Sequence, residues 1–141
     1  MTTDLSVCQD IFNRDPVRYL DMPEAVRRGV GTVLHASPSA ALVGIPAADD
    51  SRDFGSYLMS CADMDAARLL CGLFPPGGDF LIAAHEEFYL PLLQERFGTD
   101  FFLEGASFQA AYLGSGPCSI PDSPLALRQL AADDLPQVSE H

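Results

Sequence analysis

The sequence predicts a mixed α/β fold of the α+β kind: a mixed β-sheet flanked by helices. Three observations carry that expectation. Residues 32–36 and 41–45 are two β-prone runs on either side of the turn-forming "SPSA", a hairpin signal. Residues 54–61 ("FGSYLMSC") read as a strand, and the next segment places apolar residues at 64, 67, 70, 71 and 74, the spacing of one helix face. The continuous run "FLIAA" (80–84) then reads as a further strand, so strand–helix–strand follows the hairpin. With 141 residues, 48% of them hydrophobic, the chain has material for one packed domain and little more.

The elements follow in order. "LSVCQDIFNRD" has the composition of one short helix, and "DMPEAVRRG" is a stronger candidate. Pro23 suits its first helical position, Glu24 its positive end, and Arg27 and Arg28 its negative end, while Gly29 or Gly31 stops it. Asp63 is the expected N-cap of the helix over 64–74, and "PPGGD" ends that helix. "FLIAA" has no polar alternation, the mark of a strand buried on both faces. A second amphipathic helix spans "EEFYLPLLQERFG", with Pro91 either in its first turn or kinking it. "DFFLEGASFQAAYL" predicts one long or two short strands, with Gly105 at a bulge or bend. Residues 1–113 are thus one domain. Residues 114–124 ("GSGPCSIPDSP") read as a linker, and residues 125–141 read as a strand and helix start of a second domain.

Charge and composition exclude several functions. Twenty acidic against eight basic residues give a net charge of −12, and the only basic doublet is Arg27-Arg28. Nucleic acid and anionic membranes are therefore poor partners, since both need a basic patch to meet phosphate. No apolar run approaches the ~20 residues that span a bilayer, and "MTTDLSVCQDIF" has no signal-peptide pattern, so a cytoplasmic location is expected. Cysteines at 8, 61, 71 and 118 include no C-x-x-C pair, and the three histidines at 35, 85 and 141 do not supply metal-site spacing. Buried, inert thiols are expected, and no metal.

Candidate chemistry is sparse. The acidic pairs Asp49-Asp50, Glu86-Glu87 and Asp133-Asp134 are chain neighbours, which do not share one face of a helix or strand. "RRGVGT" (27–32) has neither the G-x-G-x-x-G nor the G-K-S/T pattern of a phosphate loop, and a helix end explains its glycines. His85 follows a strand and precedes a helix, where side chains line the ligand crevice of many α/β sheets. His85 with Glu86 or Glu87 is the best-placed polar cluster, and His85 and Glu86 are the candidate substrate-binding residues. The plain alternative is a histidine that caps the helix or sits at the surface. No catalytic, cofactor-binding or metal-binding residue is assigned.

Three stretches carry a resemblance. "LALRQLAADDLPQVSEH" resembles the opening R-x-L-T-x-x-D-L-x-x-V of a GNAT-superfamily acetyltransferase domain, through Arg128, Leu130, Asp134, Leu135 and Val138, with Ala131 in place of the usual Thr or Ser. "PLLQERFGTDFF" is similar to the late A-x-x-L-Y-E-K-x-G-F segment through Leu93, Glu95, Arg96 and Gly98. "RDPVRYLDMPEAVRRG" looks like the "DP…M.E.LRRG" opening of the N-terminal domain in two-domain bacterial members. The departures also matter. The family's pyrophosphate loop, Q/R-x-x-G-x-G/A, falls on "MSCADMDAARLL", which has no glycine there and carries Asp63 and Asp65. The frequent general-acid Tyr falls on Gln94, and an amide is no acid at neutral pH.

The resemblance implies a GNAT-like N-terminal domain that has lost its cofactor site, with no cofactor in this chain. It would pack on a catalytic GNAT domain of the same polypeptide, opening near Leu125, and help form the acceptor-amine site. The catalytic domain would hold acetyl-CoA. Separated from it, the chain is expected to expose an apolar face and to self-associate as a homodimer. The alternative is a self-contained small α/β binding or interaction module whose acidic surface meets a basic partner. A weaker third is a small catalytic domain using His85 and Glu86.

Overall fold

A computed structural model describes residues 4–48, 53–107, 110, 114–116, 122, 124–126 and 128–136. The chain divides into two compact units, Met1–Ala111 and Tyr112–His141.

The first unit is built on a four-stranded mixed sheet in the order β1-β2-β3-β4. Strands β1 (Thr32–Ser37) and β2 (Ala40–Pro46) form the expected hairpin, closed by Ser37 opposite Ala40. Strand β3 (Phe54–Cys61) pairs antiparallel with β2 along its whole length. Strand β4 (Leu81–Ala84) pairs parallel with β3, from Ser56 opposite Leu81 to Met59 opposite Ala84. A parallel neighbour requires a crossover, and helix α3 (Met64–Cys71) supplies it.

Alternation along β2 organises two cores. Ala40 and Leu42 face one cluster, with Tyr57, Met59, Leu70, Tyr89 and Leu93. Ala41 and Val43 face the other, with Leu5, Cys8, Ile11, Phe12, Tyr19 and Met22. The second cluster is contributed by the N-terminal region, which forms a 3-10 turn over Leu5–Cys8, helix α1 (Gln9–Phe12) and helix α2 (Asp21–Arg27). Pro23 is the third residue of α2, and Gly29 at φ +72° ends it by donating its N–H to the Val26 carbonyl. Gly31 serves another need: a Cβ there would sit 2.8 Å from Val43 Cγ1, so α2 could not lie this close to the sheet. Both glycines of "RRGVGT" thus have structural reasons.

Two expectations are corrected. Strand β4 is not buried on both faces. It lies at the sheet edge, with Leu81 and Ala83 exposed and Ile82 and Ala84 half-buried, and the N-terminal cluster includes no β4 residue. A continuous apolar run therefore covers one face here. The predicted strand over 101–113 is also absent from its described residues, 101–107 and 110. Phe101 stacks on Phe97 at 5.9 Å, inside an aromatic group with Phe74, Phe80 and Tyr57. The chain after it is exposed, with Phe102 and Leu103 each 73% accessible. Its first apolar side chain is spent on the end of helix α4 (Leu90–Phe97) instead of on the sheet. Residues 108–109 and 111–113 lie outside the described residues. Pro91 falls in the first turn of α4, and Gly98 closes the helix at φ +68°.

In the second unit, the described residues between 125 and 130 form no strand. A 3-10 turn spans Ala132–Asp134. Asp134 accepts the Ala131 N–H at 2.8 Å and receives both arms of the Arg128 guanidinium, at 2.7 and 2.5 Å. The Arg and Asp of "LALRQLAADDL" are therefore local partners, an acid capping a turn and a base held on that acid. The expected residues 137–141 lie outside the described residues.

Candidate functional site

The site forms where the parallel pair runs out. β4 ends at Ala84, opposite Met59, while β3 continues through Ser60 and Cys61. Those two residues have no β4 partner, so their polar groups need others. The segment after β4 provides them. Glu86 turns its carboxylate into the space beyond Ala84 and is met by four donors. Its Oε1 accepts from the Ser60 hydroxyl at 2.6 Å and the Tyr19 hydroxyl at 2.8 Å. Its Oε2 lies 3.2 Å from the donating Cys61 N–H and 2.9 Å from the Tyr89 hydroxyl. Four donors match the lone-pair capacity of an ionised carboxylate.

His85 is equally engaged. Its ring side chain is 6% exposed. Nδ1 lies 2.9 Å from the Met59 carbonyl and Nε2 lies 2.7 Å from Asp21 Oδ1, at the start of α2. A carbonyl and an ionised carboxylate only accept, so the imidazolium, with both ring nitrogens donating, is the form that satisfies both contacts. Tyr19 stacks on it with ring centres 5.7 Å apart. The Met59 carbonyl also receives the His85 backbone N–H at 3.1 Å. Tyr89 OH lies 2.9 Å from that same carbonyl and has one proton to give. The Glu86 carboxylate is the better recipient, because a charged acceptor makes the stronger bond.

Electrostatics follow from this packing. Burial opposes a charge on His85, but the Asp21 bond and charge, the Met59 carbonyl and the charge of Glu86 outweigh it and hold the ring above the ordinary value of 6.5. Burial, reinforced by Glu86, pushes the Tyr89 and Tyr19 hydroxyls upward, so neither gives up its proton at neutral pH. Burial pushes the Cys61 thiol up to about 12, with Glu86 adding to the effect. Cys8 and Cys71 are raised for the same reason, and all three are free and buried. No group of metal-ligating side chains occurs among the described residues.

The structure thus brings His85 and Glu86 together, as the sequence suggests, and leaves Glu87 exposed. It adds Tyr19, Asp21, Ser60 and Tyr89, which the sequence does not single out. Tyr89 stands only three positions from Glu86, but Tyr19, Asp21 and Ser60 reach their partners across 26 to 67 positions, where no local spacing links them. The whole cluster is internally satisfied: among the described residues, no buried side-chain nitrogen or oxygen lacks a partner. Ser60 and Tyr89 are fully buried and cannot meet a solute without movement.

The junction between β3 and α3 was the expected counterpart of a pyrophosphate loop. Its residues do not fit that group. Asp63 caps α3 by accepting the Ala66 N–H at 2.8 Å, so a carboxylate already occupies an amide at the helix start. Asp65 stands in the same first turn, paired with Arg68 at 3.0 Å. Two acids repel a phosphate from a helix end that would otherwise attract one. Gln94 donates to the Gly98 carbonyl at 2.5 Å, capping its own helix. A shallow apolar groove of about 250 Å³ lies beside it, lined by Leu90, Pro91, Gln94, Phe101 and Leu103. No helix among the described residues is long and apolar enough to cross a membrane. No family model, curated protein or solved structure matches the chain.

Proposed function

We propose that this chain is the N-terminal, non-catalytic domain of a GNAT-type N-acetyltransferase, packing on a catalytic domain of the same polypeptide and helping to form the acceptor-amine site. In this reading residues 125–141 open the catalytic domain, which holds acetyl-CoA. The observation that carries the reading is the pairing of a β3–α3–β4–α4 order, with β3 and β4 parallel, and a β3–α3 junction closed by Asp63. The first gives the layout in which such a cofactor would be sought. The second removes the amide-and-dipole device that would hold its phosphates. The crevice at the carboxyl ends of the parallel strands is filled by Glu86, His85 and Tyr89, so these residues shape the domain's edge and do not offer a free acid or base. The exposed Phe102 and Leu103, beside the apolar groove, supply surface for another domain to cover.

The reading frame beyond His141 tests this. A further domain of about 100 residues or more, carrying R/Q-x-x-G-x-G/A between a strand and a helix, is the expected result. A stop codon directly after His141 would overturn it and leave the self-contained interaction module.

A further inference from the structure

The Asp21–His85–Met59 bridge joins the start of α2 to the carboxyl end of β3. α2 is held on the sheet by Met22 and Val26 in the N-terminal core, by the hydroxyl of the preceding Tyr19 on Glu86, and by Asp21 on His85. Holding both ring contacts at once requires a charged ring. A neutral imidazole has one N–H, and His85 faces two acceptors at 2.7 and 2.9 Å. Removing one proton sets a ring lone pair against an oxygen lone pair. The Asp21 side chain is 34% exposed and can turn to water, whereas the Met59 carbonyl is fixed in β3. The Asp21 contact is therefore the one that breaks.

We propose that His85 is a pH-governed clasp: as an imidazolium it pins the start of α2 to the carboxyl end of β3, and on losing a proton it releases Asp21 and loosens α2 from the sheet. The groups facing the ring are Asp21 from α2, Tyr19 from the turn before it, Glu86 from the loop after β4 and the Met59 carbonyl from β3. Tyr89 and Cys61 bear on it through Glu86. Both carboxylates favour the charged ring, so the release lies on the alkaline side of an ordinary histidine. It does not depend on the chain being part of an acetyltransferase.

The test is an NMR titration of the His85 ring, with amide hydrogen-exchange protection factors measured at each pH. The reporters are the Glu24, Arg28 and Gly31 amides, bonded to the Leu20, Glu24 and Ala25 carbonyls. The ring should titrate with a midpoint above 6.5. Across that midpoint, protection of the α2 reporters should fall by about tenfold or more, while Leu42 and Val43 in the central strand keep theirs. In Asp21→Asn the midpoint should drop and α2 protection should already be low at pH 6, with little further change. Flat α2 protection through the ring titration, or a wild-type midpoint below 6.5, overturns the proposal. The wild-type titration decides it alone should Asp21→Asn not fold.

Discussion

At the scale of single residues, Glu86 is the most connected polar group, gathering Tyr19, Ser60, Tyr89 and the Cys61 amide. Glu86→Gln keeps the shape but turns an NH₂ toward donors. The replaced oxygen received two donors; with the NH₂ in place of Oε2, Tyr89 can turn to the Met59 carbonyl but the Cys61 N–H is left without its acceptor, and unfolding free energy should drop by about 2 kcal/mol, read from urea denaturation. His85 links stability to pH with a definite sign. Its proton is bound more tightly folded than unfolded, so its contribution is fully present below about 6.5 and is lost as pH rises through the raised value. The buried thiols give a chemical check. With Cys61 pushed up to about 12 and Cys8 and Cys71 also raised, none of the three should react with iodoacetamide at pH 8 until the protein is denatured. Mass spectrometry of the labelled sites reads this directly. The burial of Cys61 and Cys71 was legible from their apolar neighbours. The adjacency of His85 and Glu86 was legible too, as a strand end followed by a helix start. The partners were not, because Tyr19 and Asp21 reach them across more than 60 positions, through the packing of α2 on the sheet.

At the scale of elements, local rules explain the helix ends. Asp63 caps α3 and Gly98 closes α4, each in its expected place, and Pro91 takes the first-turn position, one of the two places open to it. Asp63→Ala should cost about 1 kcal/mol of stability, seen as a lower urea midpoint with an unchanged slope. The hairpin and β3 were readable because their runs are β-prone and bounded by turn residues. What failed depended on position in the sheet. "FLIAA" and the β2 run are both unbroken apolar stretches, yet β2 is central and covered on both faces while β4 is an edge strand covered on one. Periodicity cannot tell these apart, because it records side-chain polarity and not the number of neighbouring layers. The segment from Phe101 shows the same limit: its composition suits a strand, and an aromatic contact with Phe97 takes its first residue away.

At the scale of the whole molecule, the first unit is a mixed sheet with a helical layer over each core, and the polar hub closes the end of its parallel pair. The exposed Phe102 and Leu103 lie outside both cores, so Phe102→Ser should change unfolding free energy by less than about 0.5 kcal/mol. A larger loss would place that segment in the core. The whole chain's net charge of −12 bears on its association with charged partners and not on the fold. The central claim concerns what the molecule lacks at the β3–α3 junction and the crevice beside it. Isothermal titration of the intact chain with acetyl-CoA tests it most directly. No saturable heat is expected, because Asp63 occupies the helix-start amide and Glu86 fills the crevice. Tight, one-to-one binding would contradict the claim that this domain carries no acetyl-CoA site.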